Sequence, residues 1–239
     1  MLPLARLGGN KTSPSEERLS RRSQSTPPAA GNLDAVRESF DAAAEAYAKA
    51  FADELSRKPF DRQWLDDFAA ATRPDGRVLD LGTGAGGHIG RYLADKGFDV
   101  TGVDFSERSM EIARRLNPGM TFQVADIRSM PFDDGSIAAI AAFYCLIYGT
   151  DDDVVAALQE CRRVLEPGGR ILASVHGGEG VEHFDEFRGV PVDISMRHTS
   201  PDALRALAER AGLVVDDVMA REPYPDEHPT QRIYLQAHA

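Results

Sequence analysis

Residues 78–87 constrain the fold of this chain more than any other segment. An apolar run ends in an acid and leads directly into a glycine-rich turn, Val-Leu-Asp-Leu-Gly-Thr-Gly-Ala-Gly-Gly, and Ile89, Tyr92 and Leu93 then follow at helical spacing. This pattern predicts a buried strand, a tight turn and a helix N-terminus, as in open α/β sheets that hold an adenosine-containing cofactor. Glycine suits the turn because it adopts backbone angles that other residues resist and lets a ligand approach the main chain. The free N–H groups of the helix start suit an anionic group such as a carboxylate.

Predicted strands and helices alternate along the remaining chain, which is typical of a mostly parallel sheet covered on both faces. Such sheets bind ligands at the carboxyl ends of their strands. Helix caps are expected at Asn32 or Asp34, at Ser106 and at Thr150. The predicted strands cover residues 77–81, 99–103, 120–124, 137–144, 170–175, 192–196, 213–221 and 232–237, with an irregular stretch before residue 192.

The composition limits the classes of function. The chain has 239 residues, enough for one full-sized α/β core with a tail, and a formal net charge of −11. No basic patch stands out, so stable nucleic-acid binding is not expected. No apolar stretch approaches the length of a membrane span, and no membrane association is expected. Cys145 and Cys161 lie in apolar runs and indicate neither a disulfide framework nor a metal knuckle, which favours a cytoplasmic location.

Residues 1–31 differ from the rest of the chain. They hold five basic residues against two acidic ones and are rich in Ser, Pro and Gly. Such a segment buries little apolar surface, so a disordered basic tail is predicted.

Acidic residues follow two further predicted strands. Asp104 ends the strand after the glycine turn, about 20 residues from the first glycine, where a carboxylate accepts both ribose hydroxyl protons of an adenosine. Asp126 ends the next strand. Two turn segments, Pro-Phe-Asp-Asp-Gly-Ser at 131–136 and Leu-Glu-Pro-Gly-Gly at 165–169, bracket the fourth strand and its helix. The glycine turn by itself also fits a dinucleotide site, but these later elements do not.

With these residues, the chain resembles the class I S-adenosylmethionine-dependent methyltransferases, in particular the small single-domain bacterial type. The resemblance covers about residues 32–239 and is densest from 78 to 175. It implies a Rossmann-like, doubly wound α/β fold with a mostly parallel seven-stranded sheet, helices on both faces and an antiparallel last strand. It also implies a helical cap at 32–72 and an acceptor-side insertion at 177–199.

The resemblance implies a role for each cofactor-binding residue. The glycine loop would hold the methionine part of S-adenosylmethionine, the strand-end acids would hold its nucleoside, and a tyrosine of the first helix would close over it. That tyrosine has an alternative role as an ordinary core aromatic. The implied cofactor-binding residues are Tyr47, Asp80, Gly82, Thr83, Gly84, Gly86, Asp104, Phe105, Ser106, Ala125, Asp126 and Ile127.

The acceptor pocket is expected beside the segment after the fifth strand. His176 and His183 are candidates to orient or deprotonate an acceptor, since histidine moves protons near neutral pH, and Tyr144 ends the fourth strand at the expected reaction site. The two histidines could equally be solvated loop residues. No metal site is predicted, because His176, Glu179 and His183 match no compact metal motif.

The leading hypothesis is methyl transfer by in-line displacement to a small-molecule acceptor, leaving S-adenosylhomocysteine as product. Two alternatives stay open: a non-catalytic S-adenosylmethionine-binding protein, and an NAD-dependent oxidoreductase. The second is disfavoured because the last lysine is Lys96, so no lysine follows the fourth strand to assist a catalytic tyrosine. The oligomeric state is expected to be a monomer or a homodimer.

Overall fold

The structure is a computed structural model that describes the backbone of residues 20–21 and all of residues 32–239. The helices are α1 (Leu33–Phe51), α2 (Pro59–Ala71), α3 (His88–Ala94), α4 (Glu107–Leu116), α5 (Asp151–Val164) and α6 (Pro201–Arg210), with a short 3-10 helix at Glu54–Arg57. The strands are β1 (Ser20–Arg21), β2 (Arg77–Leu81), β3 (Asp99–Asp104), β4 (Thr121–Val124), β5 (Ile137–Phe143), β6 (Leu165–His176), β7 (Val181–Phe187), β8 (Val190–Arg197), β9 (Val214–Arg221) and β10 (Arg232–His238).

Seven strands form the central sheet, in the order β4-β3-β2-β5-β6-β10-β9. The first five pair in parallel, and β10 runs antiparallel to both of its neighbours. This arrangement confirms the predicted fold class. Because the strand order reverses between β2 and β5, a crevice opens at the carboxyl ends of the central strands, where open α/β sheets bind their ligands.

Helices cover both faces of the sheet. All seven residues of β5 are buried, as the continuous apolar run at 137–144 predicts. On one face, apolar residues of α5 and α6 pack on the sheet, and on the other face Trp64, Leu65 and Phe68 of α2 pack with Ile89 and Leu93 of α3. These layers hold the strand ends in fixed positions.

Side-chain caps set where three helices begin. Asn32 Oδ1 accepts a hydrogen bond from the Ala35 N–H, and Ser106 Oγ accepts one from Ser109. Thr150 and Asp153 form a reciprocal capping box at the start of α5. The caps expected at Asn32, Ser106 and Thr150 are therefore confirmed, and the last two place helix N-termini beside the crevice.

A second, small sheet lies outside the central one. It consists of the β7–β8 hairpin, with β1 pairing along β7. The sequence predicts only β8, because the connecting pair Arg188-Gly189 is not a usual hairpin signal. Both residues have positive φ, 50° and 82°, as a two-residue hairpin turn requires. Apart from β1, the predicted disordered tail 1–31 lies outside the described residues.

The hairpin joins the domain by packing against α1. Phe184 and Ile194 of the hairpin are buried, and the Asp193 N–H donates a 2.8 Å hydrogen bond to Ser39 Oγ on α1. The hairpin and α1 therefore form a wall beside the carboxyl ends of the central strands. Within the part of the chain that the structure describes, none of the helices combines the length and the apolar character needed to cross a membrane.

Candidate cofactor and acceptor sites

A cavity lies at the carboxyl ends of β2, β3 and β5, and is called the cofactor cavity below. It encloses about 830 Å³ of space, solvent at its mouth included. Its lining combines glycine backbone, strand-end carboxylates and aromatic rings. Eight of the sequence-predicted site residues line it: Tyr47, Gly82, Gly84, Asp104, Phe105, Asp126, Ile127 and Tyr144.

The glycine loop after β2 takes backbone angles that demand glycine. Gly82 has a φ of 62°, and a Cβ there would lie 2.3 Å from the Cβ of Cys145. Gly84 has a φ of 59°, and a Cβ there would contact the ring of Tyr47 at 3.5 Å. Left-handed φ values are costly for residues with a Cβ, so the loop keeps its shape and its open space only with glycine.

Asp80 holds the glycine loop from beneath. Its Oδ2 accepts hydrogen bonds from Thr83 Oγ1 at 2.5 Å and from the Gly90 N–H at 2.8 Å. Burial raises the pKa of this carboxyl to about 7, although both hydrogen bonds act to lower it. Neither Asp80 nor Thr83 is among the residues that line the cofactor cavity. The structure therefore places them as supports of the loop that does.

Asp104 ends β3 and faces the cavity. Its Oδ1 accepts from the Ser106 N–H at 2.9 Å, and its Oδ2 accepts from the Gly84 N–H at 3.0 Å. Burial raises the pKa of Asp104 to about 6, against the lowering effect of these backbone donors. Each oxygen accepts one hydrogen bond from a backbone N–H and keeps further lone pairs, so the carboxylate can still accept hydrogen bonds from a ligand.

Asp126 follows β4 and is paired with an arginine that the sequence interpretation does not include. Arg128 Nη2 donates to Asp126 Oδ2 at 2.7 Å, and Arg128 Nη1 donates to Asp153 at 2.5 Å. Burial acts to raise the pKa of Asp126, but the hydrogen bonds from Arg128 outweigh it and hold the pKa below its ordinary value. Arg128 itself lines the cavity. An arginine two residues after the strand-end acid is the sequence signal for this pair.

The remaining predicted cofactor residues contribute through the backbone or through neighbours. Ala125 N–H donates to the Asp104 carbonyl at 3.0 Å, and Ser106 Oγ donates to Asp41 at 2.6 Å. The Gly86 carbonyl accepts from the Asn117 side chain at 3.1 Å. Ala125, Ser106 and Gly86 themselves are not among the residues that line the cofactor cavity.

A second cavity adjoins the first and is called the acceptor cavity below. It lies between α1, the β7–β8 hairpin and the loop before β10. Aromatic and aliphatic side chains line one part of it, and the basic groups Lys58, His176, His228 and Arg232 line another. The two cavities share four aromatic residues: Phe40, Tyr47, Tyr144 and Tyr148.

Tyr144 stands between the two cavities in an unusual backbone conformation. Its φ is 55°, which is rare for an aromatic residue and is found where the surrounding structure enforces it. Its hydroxyl oxygen is buried and has no hydrogen-bond partner among residues 32–239. Lys58 Nζ lies 5.3 Å from the ring centre, and the His176 ring centre lies 5.1 Å away. Burial raises the pKa of the Tyr144 hydroxyl.

The two candidate histidines have different positions. His176 lines the acceptor cavity, and its Nδ1 lies 2.7 Å from Thr230 Oγ1. Burial lowers the pKa of His176 well below its ordinary value, with Arg232 adding to the effect, so the imidazole is neutral at physiological pH. His183 lines neither cavity. It lies on β7, where Nδ1 is 3.3 Å from Ser195 Oγ of the paired strand.

A buried ionic cluster forms the base of the acceptor cavity. Glu227 accepts from Arg221 at 2.7 and 2.9 Å and pairs with Lys58 at 3.1 Å. Arg221 also reaches Asp61 on α2 at 3.1 Å, and Asp61 accepts from the Tyr234 hydroxyl at 2.8 Å. The sequence interpretation assigns no role to this cluster, because its members come from α2, β9, β10 and the loop between the last two strands.

The glycine loop, the strand-end acids and the seven-stranded sheet agree with a class I S-adenosylmethionine-dependent methyltransferase domain. Residues 78–169, about two fifths of the chain, match the family described as methyltransferase domain. The match favours S-adenosylmethionine over NAD as the ligand of the glycine turn.

Curated relatives agree with this assignment. The chain is 38% identical over 118 residues to a demethylmenaquinone methyltransferase of Beutenbergia cavernae, a match that covers 48% of this chain and 47% of the relative. It is 34% identical over 157 residues to a ubiquinone/menaquinone biosynthesis C-methyltransferase of Acidiphilium cryptum, covering 62% and 61%. The matches thus span about half to three fifths of these relatives' length.

Solved structures share the fold at low sequence identity. The 1,6-didemethyltoxoflavin-N1-methyltransferase of Burkholderia thailandensis, solved with 1,6-didemethyltoxoflavin and S-adenosylhomocysteine bound, has a TM-score of 0.67 at 18% identity over 90% of this chain and 92% of that chain. A SAM-dependent methyltransferase of Methanosarcina mazei has a TM-score of 0.63 at 19% identity, covering 70% and 93%.

Proposed function

We propose that this protein transfers a methyl group from S-adenosylmethionine to a small-molecule acceptor bound in the acceptor cavity. One observation carries the proposal: the cavity at the strand ends and the cavity beside the hairpin meet at the shared residues Phe40, Tyr47, Tyr144 and Tyr148. Direct displacement requires the two reacting atoms to be adjacent and aligned with water excluded, and an aromatic junction between two cavities supplies that arrangement.

The cofactor cavity offers each part of S-adenosylmethionine a matching group. Asp104 would accept hydrogen bonds from the ribose hydroxyls. Asp126 and the Ile127 N–H would bind the edge of the adenine ring. The glycine loop, held by Asp80, would bind the methionine part. Arg128 occupies the Asp126 carboxylate, but it also pairs with Asp153, so it keeps one partner when Asp126 accepts from adenine.

The acceptor cavity fits a flat, mainly apolar molecule with a polar or anionic edge. Phe51 and Phe187 stack at 6.0 Å between ring centres with an angle of 22°, and Tyr47 packs against both rings. Lys58 and Arg232 line the same cavity and lie 5.3 and 5.7 Å from the ring centre of Tyr144. The names of the relatives support a small-molecule acceptor, since they act on demethylmenaquinone, on ubiquinone and menaquinone precursors, or carry 1,6-didemethyltoxoflavin.

When bound, the cofactor supplies an electrophilic methyl group on a sulfonium. The protein's task is to hold the acceptor atom in line and to exclude water. Tyr144 would contact the acceptor through its buried hydroxyl, and the neutral His176 would orient the acceptor or accept its proton where the acceptor must lose one. His183 lies outside both cavities, so its candidate role would have to act through the hairpin.

The organisation of the chain follows from these placements. Residues 32–239 would form the methyltransferase domain, with α1 and α2 as a cap (32–72) and the segment 177–199 as the acceptor-side insertion. The packing of α1 on β8 supports this division, since it joins cap and insertion into one wall of the acceptor cavity. A cytoplasmic location and a monomeric or homodimeric state belong to the same proposal.

Two measurements test the proposed function. Calorimetry with S-adenosylmethionine, S-adenosylhomocysteine and NAD should show micromolar binding of the first two and none of NAD; preference for NAD would contradict the cofactor assignment. A small-molecule extract of the source cells, incubated with methyl-labelled S-adenosylmethionine, should then yield a metabolite that gains the label in mass spectrometry. Tight cofactor binding without any labelled product would instead indicate a non-catalytic binding protein.

A Tyr144→Phe variant separates the acceptor from the cofactor. We expect unchanged S-adenosylmethionine affinity and at least about tenfold slower methyl transfer, because one hydrogen bond to the acceptor is lost. Tyr92→Phe is the matched control, since the Tyr92 hydroxyl donates to Asp66 away from both cavities. Equal transfer rates for the two variants would remove Tyr144 from the acceptor site.

A further inference from the structure

Three side chains from distant parts of the chain converge beside the polar end of the acceptor cavity. Glu182 lies on β7, His198 directly follows β8, and His228 lies in the loop between β9 and β10. One ligand atom from each residue lies within 4.8 Å of the other two. This group is called the His2Glu cluster below. None of its members is among the histidine and glutamate residues that the sequence interpretation weighs as metal ligands.

The distances within the cluster match those between the ligands of a bound metal ion. His198 Nε2 lies 3.4 Å and His228 Nε2 lies 3.0 Å from the same oxygen, Glu182 Oε2. Two ligands of a tetrahedral zinc ion with bonds of about 2.0–2.1 Å are separated by about 3.3 Å. The two histidine–glutamate distances are therefore close to this value, and the two histidine nitrogens lie within 4.8 Å of each other.

A second, independent observation concerns His198. Its Nε2 atom is buried and makes no hydrogen bond to any residue in the range 32–239, although it points toward Glu182. Buried polar nitrogens in proteins almost always have a partner, and a neutral imidazole nitrogen is among the commonest metal ligands. Coordination of an ion would give this nitrogen a partner.

The backbone holds the cluster in place without a metal. The His198 N–H donates to the Gly180 carbonyl at 2.9 Å, and the Thr199 N–H donates to the His176 carbonyl at 2.9 Å. The His228 ring packs edge-on against Phe184, and its carbonyl accepts from Arg232 at 3.2 Å. A site whose ligands are already fixed loses little conformational entropy on binding an ion.

The electrostatic surroundings permit a cation. Arg232 lines the acceptor cavity together with His228, and it faces the Glu227 carboxylate at 3.9 Å and donates to the Thr230 carbonyl. Lys58 is likewise paired with Glu54 and Glu227. The carboxylate partners of Lys58 and Arg232 lessen the repulsion that these two groups would exert on a cation beside Glu182.

We propose that Glu182, His198 and His228 form a binding site for a divalent transition metal ion, with zinc the best fit. Two imidazole nitrogens and one carboxylate favour zinc or its neighbours over magnesium and calcium, which prefer oxygen ligands. The ion ties the β7–β8 hairpin to the β9–β10 loop, two segments that enclose the acceptor cavity. Since three protein ligands leave one tetrahedral position open, a water or a polar group of a ligand completes the site.

The test uses the full chain, stripped with a chelator and then titrated with zinc chloride or cobalt chloride. We expect about one equivalent of tightly bound zinc by calorimetry, visible cobalt absorption bands of a tetrahedral site, and a higher melting temperature with zinc than without. Magnesium chloride should give none of these signals. Absence of a zinc-dependent signal in the wild-type protein overturns the proposal.

Substitutions assign the signal to the cluster. His198→Gln, His228→Gln and Glu182→Gln should each weaken zinc binding by at least about a hundredfold. His183→Gln, on the same hairpin, and His238→Gln, which pairs with Asp216 on β9, should leave it unchanged. Far-ultraviolet circular dichroism without metal shows whether each variant is folded. Zinc binding that persists in all three folded cluster variants overturns the proposal, and so does equal loss in the two controls.

Discussion

The cofactor cavity and the acceptor cavity differ in how their walls are gathered along the chain. The polar groups of the cofactor cavity come mostly from residues 82–128, and they act through backbone N–H groups and strand-end carboxylates. The acceptor cavity draws on α1, on Lys58, on the hairpin and on the loop at 225–232, and long-range ion pairs hold its base. The first is thus built by local backbone geometry, and the second by tertiary contacts. Substitutions should therefore affect the two regions in different ways.

The largest expected effect lies at the base of the acceptor cavity. Glu227→Gln should lower the free energy of unfolding by about 3–5 kcal/mol, because it removes one carboxylate partner from each of two buried cations, Arg221 and Lys58. Urea unfolding measures this change. Asp226→Asn is the control, since that exposed neighbour pairs with Arg57 at 3.6 Å and should change stability by less than about 1 kcal/mol. Equal effects would mean that the cluster does not hold this region.

The next effect concerns the glycine loop. Gly82→Ala combines a left-handed φ with a Cβ clash against Cys145, so it should cost about 2–4 kcal/mol of stability and abolish measurable cofactor binding. Gly168→Ala measures the cost of the left-handed backbone conformation alone. Gly168 has a φ of 77°, and no atom of the described residues lies within 4 Å of the added Cβ. Unfolding and calorimetry of both variants measure the difference. A Gly82→Ala protein that binds cofactor normally would contradict the local origin of this cavity.

A smaller effect is expected at the strand-end acid. Asp104→Ala should weaken S-adenosylmethionine binding by about 1.5–3 kcal/mol, the usual loss for hydrogen bonds to a charged group. Asp99→Ala, at the exposed start of the same strand, should leave the dissociation constant unchanged. Calorimetry on both variants checks the expectation. An unaltered affinity in Asp104→Ala would place the ribose elsewhere.

The smallest effect is a pH dependence confined to the cofactor side. Burial gives Asp104 a pKa of about 6 in the cofactor-free protein, and ribose hydroxyls bind the ionised carboxylate. Affinity should therefore be constant well above pH 6 and fall as the pH drops through 6, by up to about tenfold per unit for one proton. Asp104→Asn should show a flatter dependence over this range in calorimetric titrations. A wild-type dissociation constant that is level from pH 8 to pH 5 would contradict this role.

The sequence predicts the sheet and most of the cofactor cavity because the relevant signals are local. The glycine turn after an apolar strand, and the acid Asp104 at the end of the next strand, indicate where these two strands end and which edge of the sheet holds the ligand. Arg128 is the exception. Its position near Asp126 in the sequence indicates only an ordinary surface ion pair, and its second partner, Asp153, is evident only in the structure.

The acceptor side could be predicted only in outline. Tyr144 and His176 lie at the ends of neighbouring strands, so their positions in the sequence indicate the acceptor side. Glu182, His198 and His228 come together through a hairpin whose Arg-Gly turn is not a strong sequence signal. Lys58 precedes α2, and its partner Glu227 lies more than 160 positions later. Pairings over such separations arise from tertiary packing and leave no periodic trace in the sequence.

Tyr47 and Tyr144 border both cavities, so the proposed function predicts that the two ligands are thermodynamically linked. The change that one bound ligand causes in the binding free energy of the other then equals the change caused in the reverse direction. Acceptor affinity should therefore depend on the occupant of the neighbouring cavity, and the acceptor must in turn alter the retention of S-adenosylhomocysteine. The order in which the substrates bind and the strength of product inhibition should therefore both depend on the aromatic side chains that the two cavities share.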